Sequence, residues 1–261
     1  MLVYAGLIPH LPITDIHDPH ATTQALEVLD LVNQVSKELY ASKPDTIIFI
    51  SQHPHHHGNG IYFNINHEIA PSFKELGDLS DRSPVITDLE FVTRIQSRIT
   101  QNEYILLHES QLDDITSFGI HFLTSDIKPK PTVVKLSCAH QTLDDIKKYS
   151  EILYDSICDS NNRIVVIGIG NGSAASTDTS LFGHKEEGIA FQKKLTRAIP
   201  DLSEKSLQAL EKLAHGAYQD IMIPLAYLFY ITQNIGPKFV ASPSKEAMGV
   251  MTQIISLPLR S

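Results

Sequence analysis

Two histidines stand where strands end, which is where chemistry is often built. His10 follows the apolar run Leu2–Ile8 and is held between prolines in Pro9-His10-Leu11-Pro12. Proline fixes its own φ and restricts the residue before it, so a stiff turn presents this imidazole. His53 closes a second apolar run, Ile47-Ile48-Phe49-Ile50-Ser51-Gln52-His53. Neutral imidazole is the commonest protein metal ligand, and open α/β sheets bind ligands outside the carboxyl ends of their strands. Two such histidines could converge on one divalent ion. His55, His56 and His57 follow directly and read as a solvated polar loop. A third strand end carries Gly168, Gly170 and Gly172 before Ser173 and Ala174. Backbone N–H groups in a glycine-rich turn can cradle phosphate. The spacing here is not G-x-G-x-x-G and no Walker lysine follows, so a phosphate or nucleotide site is the lesser alternative.

The elements that must position these residues alternate along the chain. Apolar and β-branched runs bounded by polar, Gly or Pro residues predict strands at residues 2–8, 46–51, 61–65, 104–107, 132–136 and 163–169. Helical periodicity predicts helices at 22–40, 89–99, 143–157, 187–199, 203–213 and 219–232. Residues 238–241 and 250–257 read as closing strands. The run Ile164-Val165-Val166-Ile167 is apolar on both faces, so helices must cover both sides of the sheet. With no Gly/Ser-rich or Pro-rich linker, the expectation is a single α/β domain over residues 1–261. Its central sheet would be mixed but mostly parallel, with helices on both faces.

The chain of 261 residues has 21 basic and 30 acidic side chains and a formal charge of −9. That balance argues against an electrostatic nucleic-acid binder. No run approaches the ~18 apolar residues of a membrane span, and the start lacks the features of a secretory signal. Two cysteines, Cys138 and Cys158, are too few for a disulfide framework. A cytoplasmic location with no membrane partner is the expectation.

These pieces, in this order, resemble the catalytic-subunit family of class III extradiol ring-cleavage dioxygenases. Pro9-His10-Leu11-Pro12 matches that family's opening Pro-His-Pro-like turn, and Ser51-Gln52-His53 its Ser-Pro-His strand end. Its Leu-Asp-His-Gly segment falls on Leu112-Asp113-Asp114-Ile115. Its Ser-Gly-Asp-Leu-Ser-His strand end falls on Ile169-Gly170-Asn171-Gly172-Ser173-Ala174. Phe182-Gly183 through Gly188, Gly216-Ala217 and Met248-Gly249-Val250 take its later motifs. The resemblance implies two histidines and a carboxylate binding Fe(II), a catechol-like aromatic substrate, O₂ beside it, and a histidine that handles protons. His10 and His53 take the metal-histidine positions.

The remaining polar positions depart from the pattern. The metal carboxylate falls on Ala217, the proton-handling histidine on Ala174 and the middle histidine on Asp114. Asp114 and His121 are therefore the catalytic candidates, the latter standing in if the middle segment shifts. Asp220 and His215 lie near the lost carboxylate but read more simply as surface polar residues. Arg163 and Lys185 are available to anchor an acidic substrate, but read more simply as solvated surface residues. The reading is a divergent or catalytically impaired member of the family. One alternative is a metal enzyme of altered reaction with a substitute third ligand, taking Fe(II), Zn or another divalent ion. A second is a non-catalytic binding or partner subunit without metal, or a weak phosphate binder. Homo-oligomers are common for chains of this kind.

Overall fold

The computed structural model describes residues 1–14, 21–52, 60–233, 235 and 239–257. In chain order the elements are β1 (Leu2–Ile8), α1 (Thr23–Ser42), β2 (Thr46–Gln52), β3 (Ile61–Asn64), β4 (Glu68–Ile69), β5 (Val85–Ile86), α2 (Leu89–Gln96), β6 (Tyr104–Leu107), α3 (Asp114–Thr124), β7 (Thr132–Cys138), α4 (Leu143–Cys158), β8 (Ile164–Ile169), α5 (Glu186–Ala198), α6 (Glu204–Ala217), α7 (Met222–Thr232), β9 (Val240–Ala241), β10 (Lys245–Ala247), β11 (Val250–Thr252) and β12 (Ile255–Leu257).

Eight strands form one sheet in the order β6-β3-β7-β2-β8-β1-β12-β9. The centre, β7-β2-β8-β1, is parallel. β3 and β12 run against it on either side. The expected mixed, mostly parallel α/β sheet is therefore present. β8 lies between β1 and β2, with Ile8 level with Ile169 and Ser51 level with Ile169. Three neighbouring strands thus end together at one rim.

Alternation along the strands sorts the core into two layers. Ile48, Ile50, Val134, Leu136, Ile164 and Val166 pack under α2, α4, α5, α6 and α7. Ile47, Phe49, Val133, Val165 and Ile167 pack under α1 and α3. α7 is apolar all round and almost wholly buried, as a helix on the centre of a sheet must be.

Two departures from the sequence expectations bear on the site. Residues 114–124 form α3, which periodicity did not reveal. Asp113 caps it, accepting from the Thr116 backbone N–H at 2.8 Å. The helix carries a glycine, and at Gly119 an added Cβ would lie 2.5 Å from Ile169, so α3 sits close on the sheet. The helix expected at 219–232 begins instead at Met222. Pro224 explains this: proline is tolerated in a first turn, where its missing N–H has no helical partner, and disrupts one further in. The chain between α6 and α7 is consequently a loop, and Asp220 is in it. The phosphate-cradle alternative also ends here, since irregular backbone rather than a helix follows Gly172.

Beneath the start of α3 lies a buried cation. Lys135, in the middle of β7, is 1% exposed. Its ammonium contacts Asp113 at 2.7 Å and Glu109 at 2.9 Å. Burial would push its pKa down, but the two carboxylates outweigh that and raise it, so the group stays charged. Removing one partner of a buried ion pair strands the other. Lys135→Ala is expected to lose about 3–5 kcal/mol of stability, readable in urea unfolding. A loss under about 1 kcal/mol would show that Asp113 and Glu109 do not depend on it.

Candidate functional site

The site is built at the common rim of β1, β8 and the loop before α7. His10 stands two residues beyond β1. Its Nε2 lies 2.7 Å from Asp220 Oδ2, a contact between residues 210 apart in sequence. Both side chains are partly buried, at 21% and 26% exposure, so the pair is shielded but reachable.

Asn171, two residues beyond β8, joins both partners. Its backbone N–H donates to Asp220 Oδ1. Its Nδ2 donates to the backbone carbonyl of His10 at 2.8 Å. Its own carbonyl accepts from the N–H groups of Asp220 and Ile221. The close approach requires Gly170: a Cβ there would lie 2.8 Å from the Asp220 carbonyl oxygen and from Ile221 Cα. Asn171 is 6% exposed, and its Oδ1 is enclosed with no hydrogen-bond partner among the described residues.

Electrostatics at the rim are acidic. Burial alone would lower the His10 pKa, but Asp220 more than reverses this, with Asp114 and Asp113 adding to it, and the imidazole is held above its ordinary value. Asp114, a catalytic candidate from the sequence, is thus placed in the first turn of α3, where its charge is felt at His10.

His121 is not brought to this pair. It lies seven residues further along α3, about 10 Å of helical rise. Its ring meets Phe73 edge-on at 5.7 Å and Phe122 at 5.0 Å. It lines a cavity with Ser36, Lys37 and Tyr40 of α1, in the half of that helix leading away from the rim. His53, the second metal candidate, and His55–His57 lie outside the described residues; Ser51, two positions before His53, is level with Ile8 and Ile169 through β8.

Other readings are corrected. Asp220 is not a surface residue on a helix face shared with Ala217. Tyr218, at φ 50°, ends α6 in the left-handed region, and Asp220 turns inward from the loop beyond it. Gly216 marked the segment, but only Pro224 signals that Asp220 is non-helical. Arg163 cannot anchor a substrate at this rim. It precedes β8 at the opposite edge, and its guanidinium is spent on the Ser42 and Lys43 carbonyls. Lys185 donates to the Tyr218 hydroxyl at 2.9 Å on the exposed surface. His215 sits in the last turn of α6, its carbonyl accepting the Tyr218 N–H.

The glycine-rich turn has no donors left for phosphate. The N–H of Gly170 goes to Ile8, that of Gly172 to Met251 and that of Ala174 to Ala217. The N–H of Asn171 goes to Asp220, that of Ser173 to the Gln192 side chain and that of Ala175 to the Ser173 hydroxyl. Ala174 and Ala217 face the interior, at 4% and 0% exposure, and are bonded to one another through their backbones at 3.1 Å.

No family model matches the chain, and no curated protein matches it. Among solved structures it is similar to the uncharacterized protein JW3007 from Escherichia coli K12. That match has a TM-score of 0.69, covers 98% of this chain and 99% of that one, and has 13% sequence identity. At that identity the likeness is one of fold.

The shift at His10 carries a stability sign. The folded imidazole titrates above its usual value near 6.5, so its contribution is fully present below that pH and lost as pH rises through the raised folded value. In metal-free protein, the unfolding free-energy difference between wild type and Asp220→Asn should shrink from about pH 6.5 upward. A difference that stays flat or grows with alkali would rule out an ionised pair.

Proposed function

We propose that this chain is a divergent member of the class III extradiol dioxygenase group that keeps a divalent-cation site at the sheet rim and has left family-type ring cleavage behind. The observation that carries this is the 2.7 Å contact of His10 with Asp220. A strand-end imidazole faces a carboxylate three residues after the position where the resemblance expects one. Asp220 is the substitute that Ala217 lacks.

The donors suit a divalent cation better than an anion. One imidazole nitrogen and one carboxylate are ligands that Zn(II) and Fe(II) both accept. Asp114 and Asp113 add negative field, the turn offers no free N–H, and the Asn171 Oδ1 is an enclosed oxygen without a partner. Among the described residues no group of three His, Cys, Asp or Glu side chains is assembled to hold an ion, so a further ligand of those types would come from outside them, with His53 the candidate. Bound there, the ion would act as a Lewis acid toward a chelating oxygen pair, such as that of a small catechol-like aromatic. His10 and Asp220 would hold it, Asn171 would keep them in register, and Asp114 would take a proton from the bound hydroxyl.

The inward-facing Ala174 and Ala217 favour a second reading, a non-catalytic binding or partner subunit. Either role fits a cytoplasmic setting, since Cys138 and Cys158 are free thiols, and among the described residues no helix is long and apolar enough to cross a membrane.

The test is metal content after anaerobic loading with Fe(II) or Zn(II) and desalting. Wild type should retain one ion per chain, and His10→Ala, Asp220→Asn and His53→Ala should retain little. Oxygen uptake with a panel of catechols should stay at background. Wild type that holds no ion leaves the subunit reading in place, whereas rapid catechol turnover would return the chain to the classical enzymes.

A further inference from the structure

We infer that Asn171 is the positioning residue of the His10–Asp220 pair, and that its Oδ1 is reserved for the cation the site binds. The second half of this rests on the reading above; the first stands on geometry alone.

The residue works through three separate groups. Its N–H fixes one oxygen of the Asp220 carboxylate, leaving the other for His10. Its Nδ2 fixes the main chain of His10 at 2.8 Å. Its carbonyl holds the backbone of the Asp220 loop through two N–H groups. One residue thus ties an imidazole to a carboxylate that the chain separates by 210 positions. The imidazole rides on a two-proline turn and the carboxylate on a loop, and neither is set by a helix or a strand. Without the tie, their separation would rest on the packing at Gly170 and on the His10–Asp220 contact itself.

The fourth group is unused. Asn171 is 6% exposed and its Oδ1 has no partner among the described residues. Folded proteins seldom leave a buried acceptor unpaired, because its lost hydration is uncompensated. The amide cannot be turned over to relieve it, since Nδ2 is needed at the His10 carbonyl. An amide oxygen is a hard donor of the kind divalent cations accept. On a residue bonded to both His10 and Asp220, it would supply a third donor that is neither histidine, cysteine nor acid.

Two variants and two readouts decide the matter. Asn171→Ala removes both ends of the amide. Asn171→Asp keeps an oxygen but loses the donor to His10. In metal-free protein at fixed pH, ¹⁵N spectra of the imidazoles should show the His10 Nε2 signal of a ring held against Asp220. That signal should be lost in Asp220→Asn, which assigns it, and averaged in both Asn171 variants, while circular dichroism stays that of wild type. The N–H and carbonyl of residue 171 survive both substitutions, so an unchanged His10 signal in Asn171→Ala overturns the positioning role of the side chain; should that variant not fold, the signal in Asn171→Asp decides. For binding, titration with Zn(II) should show Asn171→Ala weakened roughly 10- to 100-fold, the range typical of residues that orient metal ligands. Asn171→Asp should recover part of that loss, because its oxygen remains and carries charge. Equal weakening in the two variants, or wild type that binds no Zn(II), overturns the assignment of Oδ1. The imidazole spectra remain decisive for positioning even if the cation reading fails.

Discussion

The fold depends at its rim on one junction, where the end of β8 is bonded sideways to the loop entering α7. Gly170 and Asn171 leave the strand and are met at once by Asp220 and Ile221, close enough that any side chain at Gly170 would collide. That contact spends the Asn171 N–H on Asp220, while the other backbone donors of the turn go to Ile8, Met251, Gln192, Ala217 and Ser173. It also brings the carboxylate to the end of β1. The glycines are there for backbone proximity, and the same proximity removes the phosphate cradle that glycine-rich turns suggest.

A second constraint lies one layer below. A parallel strand buried on both faces has no natural place for an ammonium group, yet β7 carries Lys135 at its centre. The charge is tolerated because Glu109 and Asp113 reach it within 2.9 Å and 2.7 Å. Asp113 uses its other contacts to cap α3. The ion cluster therefore anchors the helix start that carries Asp114 toward the rim. One cation against two carboxylates leaves the cluster with a net negative charge, and Asp113 adds to the fields of Asp220 and Asp114 at His10.

Much of the architecture was legible in the sequence because long periodic runs report burial directly. β1, β2, β8 and the helices α1 and α4 follow their apolar spacing closely. α3 escaped because its pattern is crowded: Phe118, Gly119, Ile120, Phe122 and Leu123 are all buried, so no polar face breaks the run into a helical period. His10 was readable from its strand end and flanking prolines. Asp220 and Asn171 were not, since their roles come from a contact between distant segments and local pattern carries no trace of it. Ala174 and Ala217 marked two departures from the pattern the chain resembles, and the second drew attention to Asp220 three residues on, though only as a surface polar residue on a helix.

The position of the Asp220 carboxylate has a physical logic. Ala217 is the last residue of α6 and is wholly buried, and its carbonyl receives both the Ala174 N–H and the Ser173 hydroxyl, each at 3.1 Å. A glutamate there would be overpacked and would bring a charge into an apolar layer with no cation beside it, and each fault is destabilising on its own. Three residues on, after the left-handed turn at Tyr218, the chain has left that layer. A carboxylate at Asp220 meets the Asn171 N–H on one side and an imidazole on the other, so its charge is met as it is buried. Packing at residue 217 and the carboxylate at Asp220 thus go together: the interior position has no room for a charged side chain, and the loop beyond it lets a carboxylate face His10.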